Sequence, residues 1–286
     1  MQLENPGQIL AEILNGHVVN ESRDWLEEKI KLIVSNQSAK DLYLTYSLIP
    51  SKIDLVANLN LSPSNSDLEK YLVVQSANSH QIARIYLLSR VLEANKTFFT
   101  SKVAKIIEVA DTSEMETFLK FLIVLPNAED FKASAVEALR TNISTVFNAI
   151  AYNNPYPSLF FDDHQWNQMY LKTAFMQGDL GAISDIDKRA NEDLARIISD
   201  YAHERWAAGR EIDPDFWRPI PKFIGSSLLK DMERLLGSEN PFENRAGALC
   251  CYYSENPAAK ELLRGQEKLL QQIEDKELSW ETLKEA

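Results

Sequence analysis

Glycine is scarce: 9 in 286 residues, against the ~7% usual in globular proteins, so few positions suit the positive-φ turns of tight hairpins. No Asn-Gly or Asp-Gly pair sits between two alternating apolar runs, the strongest local mark of a β-hairpin. Cysteine is scarcer still. Cys250 and Cys251 are the only two, adjacent and too few for a disulfide framework, which fits a reducing compartment. No stretch approaches the ~18 apolar residues of a membrane span, and the opening Met-Gln-Leu-Glu-Asn-Pro-Gly lacks the basic and apolar regions of a secretory signal. Basic residues are outnumbered, 30 Lys+Arg against 42 Asp+Glu, and the net charge of -12 repels a phosphate backbone and an anionic membrane alike. These deficits together lead us to expect a cytoplasmic protein with no transmembrane segment and no nucleic-acid partner.

What is present is helical periodicity. A hydrophobic content of 45% supports a sizeable core. Asn5-Pro6 reads as an N-cap and first helical residue, with Gly16 ending that helix. A second helix from Asn20 buries Trp25, Leu26, Ile30 and Ile33. Ser38 to Ile49 follows as a shorter helix, with a strand as the second reading, ended by Pro50. Beyond the polar loop 60–66, a helix to about Ser76 and a longer one with Ile82, Ile85, Leu88 and Leu92 on one face are expected. Lys96 to Ala110, Ser113 to Leu125 and a long helix from Phe131 to Tyr152 continue the pattern. Asn191 starts and Gly209 ends a further helix, and Asn240-Pro241 and Asn256-Pro257 start two more. The expectation is an all-α fold of stacked antiparallel helical pairs, HEAT-like or α-solenoid-like in texture. It is read as a single domain, 1–286, divisible into sub-lobes 1–126 and 127–275, with a charged tail, 276–286, that frays.

The stretch Tyr152 to Tyr170 organises the chain. Pro155 and Pro157 steer Asn154 and Tyr156 to extended conformations and stop the incoming helix. Asp162 then caps the next helix with Gln165 at the capping-box position, and Phe161 is placed to staple onto Trp166. Asn153, Asn154, Tyr156, Trp166, Asn167 and Gln168, with Asp200, His203, Glu204 and Arg205 from the helix after Asn191, make a polar, aromatic candidate groove for a ligand or partner. Amides of this kind equally suit the orphaned backbone groups of a proline corner, and bracing is the weightier of the two uses. In the helix after Asn191, Ala195, Ser199 and Ala202 form a small-residue stripe for close packing. His164, His203, Asp162, Asp163, Asp200 and Glu204 offer metal-ligand chemistry, but His203-Glu204 lacks the second histidine of H-E-x-x-H, and an Asp200–His203 pairing explains the histidine. No metal and no cofactor are expected. Adjacent thiols in an apolar helix with no histidine nearby make poor nucleophiles, so no catalytic residue is assigned and the chain leans away from an enzyme.

Two motifs, Ala151-Tyr-Asn-Asn-Pro-Tyr-Pro157 with Trp166-Asn-Gln-Met169, and Asp200-Tyr-Ala-His-Glu-Arg-Trp-Ala-Ala-Gly-Arg210, resemble the EboA family. The resemblance is specific from about Asn148 to Trp217. His164 departs from it, since the family pattern has a small or acidic residue there. The resemblance implies a non-catalytic binding or scaffold component of metabolite traffic out of the cytoplasm, serving secondary-metabolite precursors. Other ebo operon products would be its partners, among them a UbiA-like membrane prenyltransferase that would recruit it to the inner membrane. A small-molecule carrier or enzyme with a polar pocket at the Asn153–Gln168 corner is the alternative.

Overall fold

The computed structural model describes residues 5–62 and 66–285. Among them there is no β-strand, and the chain is all-α. Its contacts divide it into two units, Met1–Phe161 and Asp162–Ala286.

The first unit contains α1 Pro6–His17, α2 Asn20–Asn36, α3 Ala39–Lys52, α4 Asp67–Val74, α5 Ser79–Ala94, α6 Lys96–Ala104, α7 Ile106–Val109, α8 Thr112–Lys120, α9 Lys132–Ala138, α10 Ser144–Ala151 and the one-turn α11 Tyr156–Phe160. Helix α5 is its centre. The sequence pattern assigns it one apolar face, yet Ala83, Tyr86, Leu87 and Val91 are buried as well as Ile82, Ile85, Leu88 and Leu92, because α1, α2, α3, α6 and α8 all pack on it. A helix buried on more than one face is satisfied only at the middle of a core.

Proline ends α3 less abruptly than its chemistry suggests. Pro50 lies inside the last turn instead of stopping the helix, and it cannot offer an N–H to the Tyr46 carbonyl one turn earlier. Arg84 from α5 supplies the missing donor, with Nε 3.3 Å from that oxygen. The Arg84 guanidinium also reaches Ser113 Oγ at 3.3 Å and Glu114 Oε1 at 3.6 Å. Glu114 in turn accepts the Asp111 N–H at 3.0 Å, completing the capping box that starts α8. Arg84 and Glu114 are both buried, so this is a charge pair embedded in the core.

Other boundaries move for local reasons. Helix α1 passes through Gly16 to His17, whose Nδ1 donates to the Ile13 carbonyl, and Trp25 is only half-buried. The middle of the loop expected at 60–66 lies outside the described residues. The helix expected from Lys96 to Ala110 is split at Lys105 into α6 and α7, and α8 gives way to a 3-10 turn, Leu122–Val124. The long helix expected from Phe131 to Tyr152 is broken between α9 and α10, where the Thr141 hydroxyl accepts the Ile143 N–H and competes with the helical ladder. Ile143, four residues after Leu139 and three before Val146 in the apolar spacing of that stretch, is consequently exposed. Helix α10 stops at Ala151 ahead of the prolines. Tyr156 is not extended, however. It begins α11 with Pro157 in the first turn, where a missing N–H costs nothing.

The second unit contains α12 Asp163–Phe175, α13 Ile186–Arg189, α14 Glu192–Ala207, α15 Ser226–Leu236, α16 Pro241–Tyr253, α17 Pro257–Arg264 and α18 Glu267–Glu274, with 3-10 turns at Leu180–Ala182, Pro214–Trp217 and Pro221–Phe223. Its caps are those the sequence announces: the Asp162–Gln165 capping box, Asn191 on Leu194, Asn240 on Phe242, Asn256 on Ala258, and Gly209 at φ 63° just past α14. Helix α16 is central here, packed by α15, α17, α18 and both 3-10 turns at Pro214 and Pro221. Its small residues permit this. A Cβ on Gly247 would lie 2.8 Å from Leu235 Cβ and 3.3 Å from the Leu236 backbone nitrogen, so Gly247→Ala is expected to destabilise by about 1 to 3 kcal/mol through overpacking. Urea unfolding checks this; an unchanged midpoint would mean that α15 yields freely.

Through Glu285 the charged tail is packed down instead of frayed. Leu278, Trp280 and Leu283 are buried, Arg245 donates to the carbonyls of Leu283 and Glu285, and Lys284 pairs with Asp213 at 2.8 Å and Asp215 at 2.7 Å. Composition points to a solvated end, but every third or second residue of Leu278-Ser-Trp-Glu-Thr-Leu283 is an apolar anchor.

Candidate functional site

The candidate residues of the proline corner fall on both sides of the unit boundary, and each set has its own environment. In the first unit, Asn154 is buried and spends its amide on backbone: Nδ2 donates to Leu119 O at 3.1 Å and Ala149 O at 3.0 Å, while Oδ1 accepts the Tyr156 N–H at 3.0 Å. Tyr156 is fully buried and its hydroxyl donates to Ala128 O at 2.7 Å. Burial raises the Tyr156 phenol well above its ordinary value, with Glu129 and Asp130 adding to it. Asn153 takes φ 50°, is exposed, and offers its carbonyl to Gln75 Nε2 at 2.8 Å.

In the second unit, Trp166 is buried with the Arg189 guanidinium 5.0 Å from its ring centre. Asn167 and Asn191 exchange amide hydrogen bonds at 3.1 and 2.8 Å, tying α12 to the N-terminus of α14. Gln168 is exposed beside His164. Asp200 and Glu204 are exposed, and Asp200 pairs with Arg196.

His203 finds a different partner from the one its spacing suggests. Its Nε2 lies 2.6 Å from Oδ1 of Asp231 on α15, and the other oxygen of Asp231 accepts from Ser199 Oγ at 2.5 Å. The small-residue stripe Ala195, Ser199 and Ala202 is buried, and Ser199 uses that close approach to reach Asp231. A legible sign of this existed in the sequence: Asp231 shares a helix face with Leu228, Met232 and Leu235, and a carboxylate on an apolar stripe demands a partner.

Arg205 and Tyr201 of α14 line a cleft of about 390 Å³, with Phe175 at the end of α12, Ile212, Phe216 and Phe242. Tyr201 stands 5.1 Å from Phe175 and 5.2 Å, edge to face, from Phe216. Arg205 is held by Nε and Nη2 on the Glu211 carbonyl at 3.1 and 2.6 Å, with its guanidinium 5.9 Å from the Tyr201 ring. That grip leaves Nη1 with no partner among the described residues. The cleft thus combines aromatic faces with one oriented cationic donor and the Asp213 carboxylate, which Lys284 neutralises, in the size range of small-molecule sites. Phe175, Phe216 and Phe242 escaped sequence reasoning. Two of them follow Asp213-Pro214 and Asn240-Pro241 within two residues, and those turns aim them inward.

The thiols have a quieter role. Cys250 and Cys251 are buried and unbridged. Burial pushes the Cys250 thiol well up and the Cys251 thiol up to about 12, so both stay protonated, and the Cys250 thiol donates to the Trp217 carbonyl at 3.4 Å.

Fold and cleft define an all-α protein carrying a small-molecule-sized aromatic cavity, and among the described residues no helix is long and apolar enough to cross a membrane. The family model described as "Metabolite traffic protein EboA" matches residues 7–221, most of the chain including Tyr201 and Arg205, and the chain belongs to the EboA family. The family's name supports a general role in metabolite traffic. No curated protein and no solved structure matches.

Proposed function

We propose that this chain is a non-catalytic binding component of metabolite traffic, holding a small planar or apolar metabolite that bears a carboxylate or carbonyl in the Arg205 cleft. The carrying observation is Arg205 itself, fixed on the Glu211 carbonyl with one terminal nitrogen uncommitted beside aromatic walls. On this reading the protein works in the cytoplasm and meets other ebo operon products, including a membrane prenyltransferase, as an adaptor. The corner residues Asn154, Tyr156 and Asn167 serve by bracing, since their polar atoms are engaged with backbone and with Asn191.

Calorimetric titration with 2-naphthoate tests the cleft. Arg205→Gln is expected to weaken binding at one site per chain by tenfold or more, about 1.4 kcal/mol, with Tyr201→Ala acting in the same direction. Retention in Arg205→Gln of every site seen in wild type, each at equal affinity, would reject the cleft. Co-purification of the prenyltransferase with wild-type protein, retained in Arg205→Gln, would support an adaptor surface separate from the cavity; absence of any operon product would remove the adaptor half of the proposal.

A further inference from the structure

A second cavity, of about 400 Å³, opens in the same unit beside the Pro219–Pro221 connection and shares no lining residue with the Arg205 cleft. Pro219, Pro221, Tyr253 and Trp280 give it apolar walls. Its charged groups are Arg218, Lys222, Asp187 and Glu281, and their pairing is uneven. Asp187 grips Arg218 in a fork, with Nε 3.1 and 3.2 Å from its two oxygens and Nη2 2.8 Å from one of them. Glu281 makes a single contact to Nη2 at 3.2 Å, from a side chain that is 70% exposed, and its carboxylate is also held by Ser279 and by its own backbone N–H. Lys222 donates to the Asp187 carbonyl at 2.8 Å and forms no ion pair among the described residues.

We propose that this cavity is a binding site for an amphipathic anion, an aromatic or apolar body ending in a phosphate, sulfonate or carboxylate. The body lies against Trp280, Tyr253 and the two prolines. The anion takes the place of Glu281 on Arg218 Nη2 and is met from the rim by Lys222. The exchange is favourable in charge terms. Asp187 keeps Arg218 oriented, while moving the exposed Glu281 into solvent leaves two cations against one carboxylate. Arg218 is itself four-fifths shielded at the side chain, so an anion that reaches it is partly desolvated and its charge-assisted hydrogen bonds are strengthened. Glu281 acts as a resident competitor: a carboxylate supplied by the chain, weak enough to be displaced, that fills the position while the cavity is empty.

The experiment is calorimetric titration of 1-naphthyl phosphate, with uncharged 1-naphthol as its comparison, in an Arg205→Gln background that disables the first cleft. One saturable site is expected for the phosphate, with 1-naphthol at least tenfold weaker. Adding Arg218→Gln is expected to weaken the phosphate at least tenfold and Lys222→Gln at least threefold. Glu281→Gln is expected to tighten it threefold or more, a gain that damage to the fold does not produce. Should Arg218→Gln lose its helical circular dichroism, Lys222→Gln and Glu281→Gln decide the matter. The proposal is overturned if Glu281→Gln leaves affinity unchanged or weaker, if Lys222→Gln has no effect, or if 1-naphthol binds as tightly as its phosphate. Failure here leaves the Arg205 cleft untouched, because that site is already absent from the background.

Discussion

Truncating Trp166 to alanine is expected to cost about 3 to 5 kcal/mol of stability, among the largest effects available in the second unit. The side chain is 1% exposed, stands on the first turn of α12, and has the Arg189 guanidinium over its ring. Removing it opens a cavity and strips Arg189 of an aromatic face. Its Nε1 has no hydrogen-bond partner among the described residues, so Trp166→Phe deletes an unsatisfied donor along with volume and is expected to lose less than half as much. Pro155→Ala is expected to fall below ~1 kcal/mol, since it acts mainly through the freedom of the unfolded chain. Urea and thermal unfolding of the three variants give the ranking. A Trp166→Ala protein that unfolds within 1 kcal/mol of wild type would mean that α12 is held elsewhere.

Glu114→Ala in the first unit is expected to bring a loss of similar size. It removes the reach-back to the Asp111 N–H and leaves the buried Arg84 guanidinium with no carboxylate, for which about 3 to 5 kcal/mol is expected. The informative comparison is the double variant Arg84→Met with Glu114→Leu. Deleting both charges removes the uncompensated ion, so the double variant is expected to be more stable than Glu114→Ala alone despite carrying two changes. A double variant less stable than the single would show that the stranded Tyr46 carbonyl, together with the lost pair, outweighs relief of the unpaired charge.

Capping was the most legible layer of this chain because it is chemically local. Asp162 with Gln165, Asn191, Asn240, Asn256 and Gly209 each settle a helix end within four residues, and each end lies where those residues put it. Periodicity was less reliable where it ran on without a stop. Val136, Leu139, Ile143, Val146 and Ile150 keep helical spacing straight across the break at Thr141, because a hydroxyl bonding to its own backbone leaves no trace in an apolar pattern. Pro50 misled for the opposite reason: its local chemistry is correct, but a guanidinium 34 positions onward repairs the defect. The Arg205 cleft was half visible. Tyr201 and Arg205 stand on one helix and could be found together, whereas Phe175, Phe216 and Phe242 arrive from three other elements. His203 belongs to the same class, its partner being 28 positions away.

That repair constrains how the sequence can change over generations. Arg84 is held in the core by three obligations at once, to the Tyr46 carbonyl that Pro50 leaves without a donor, to Ser113 and to Glu114. A lineage that loses Arg84 first strands both a carbonyl and a carboxylate; one that loses Glu114 first strands a cation. Replacing Pro50 first is the mild step, since it returns an N–H to the Tyr46 carbonyl and frees Arg84 from one obligation. Exchange of the whole group for apolar residues is therefore ordered, with position 50 first and the charges afterwards as a pair, and any homologue that retains a proline at position 50 should retain a long donor at position 84.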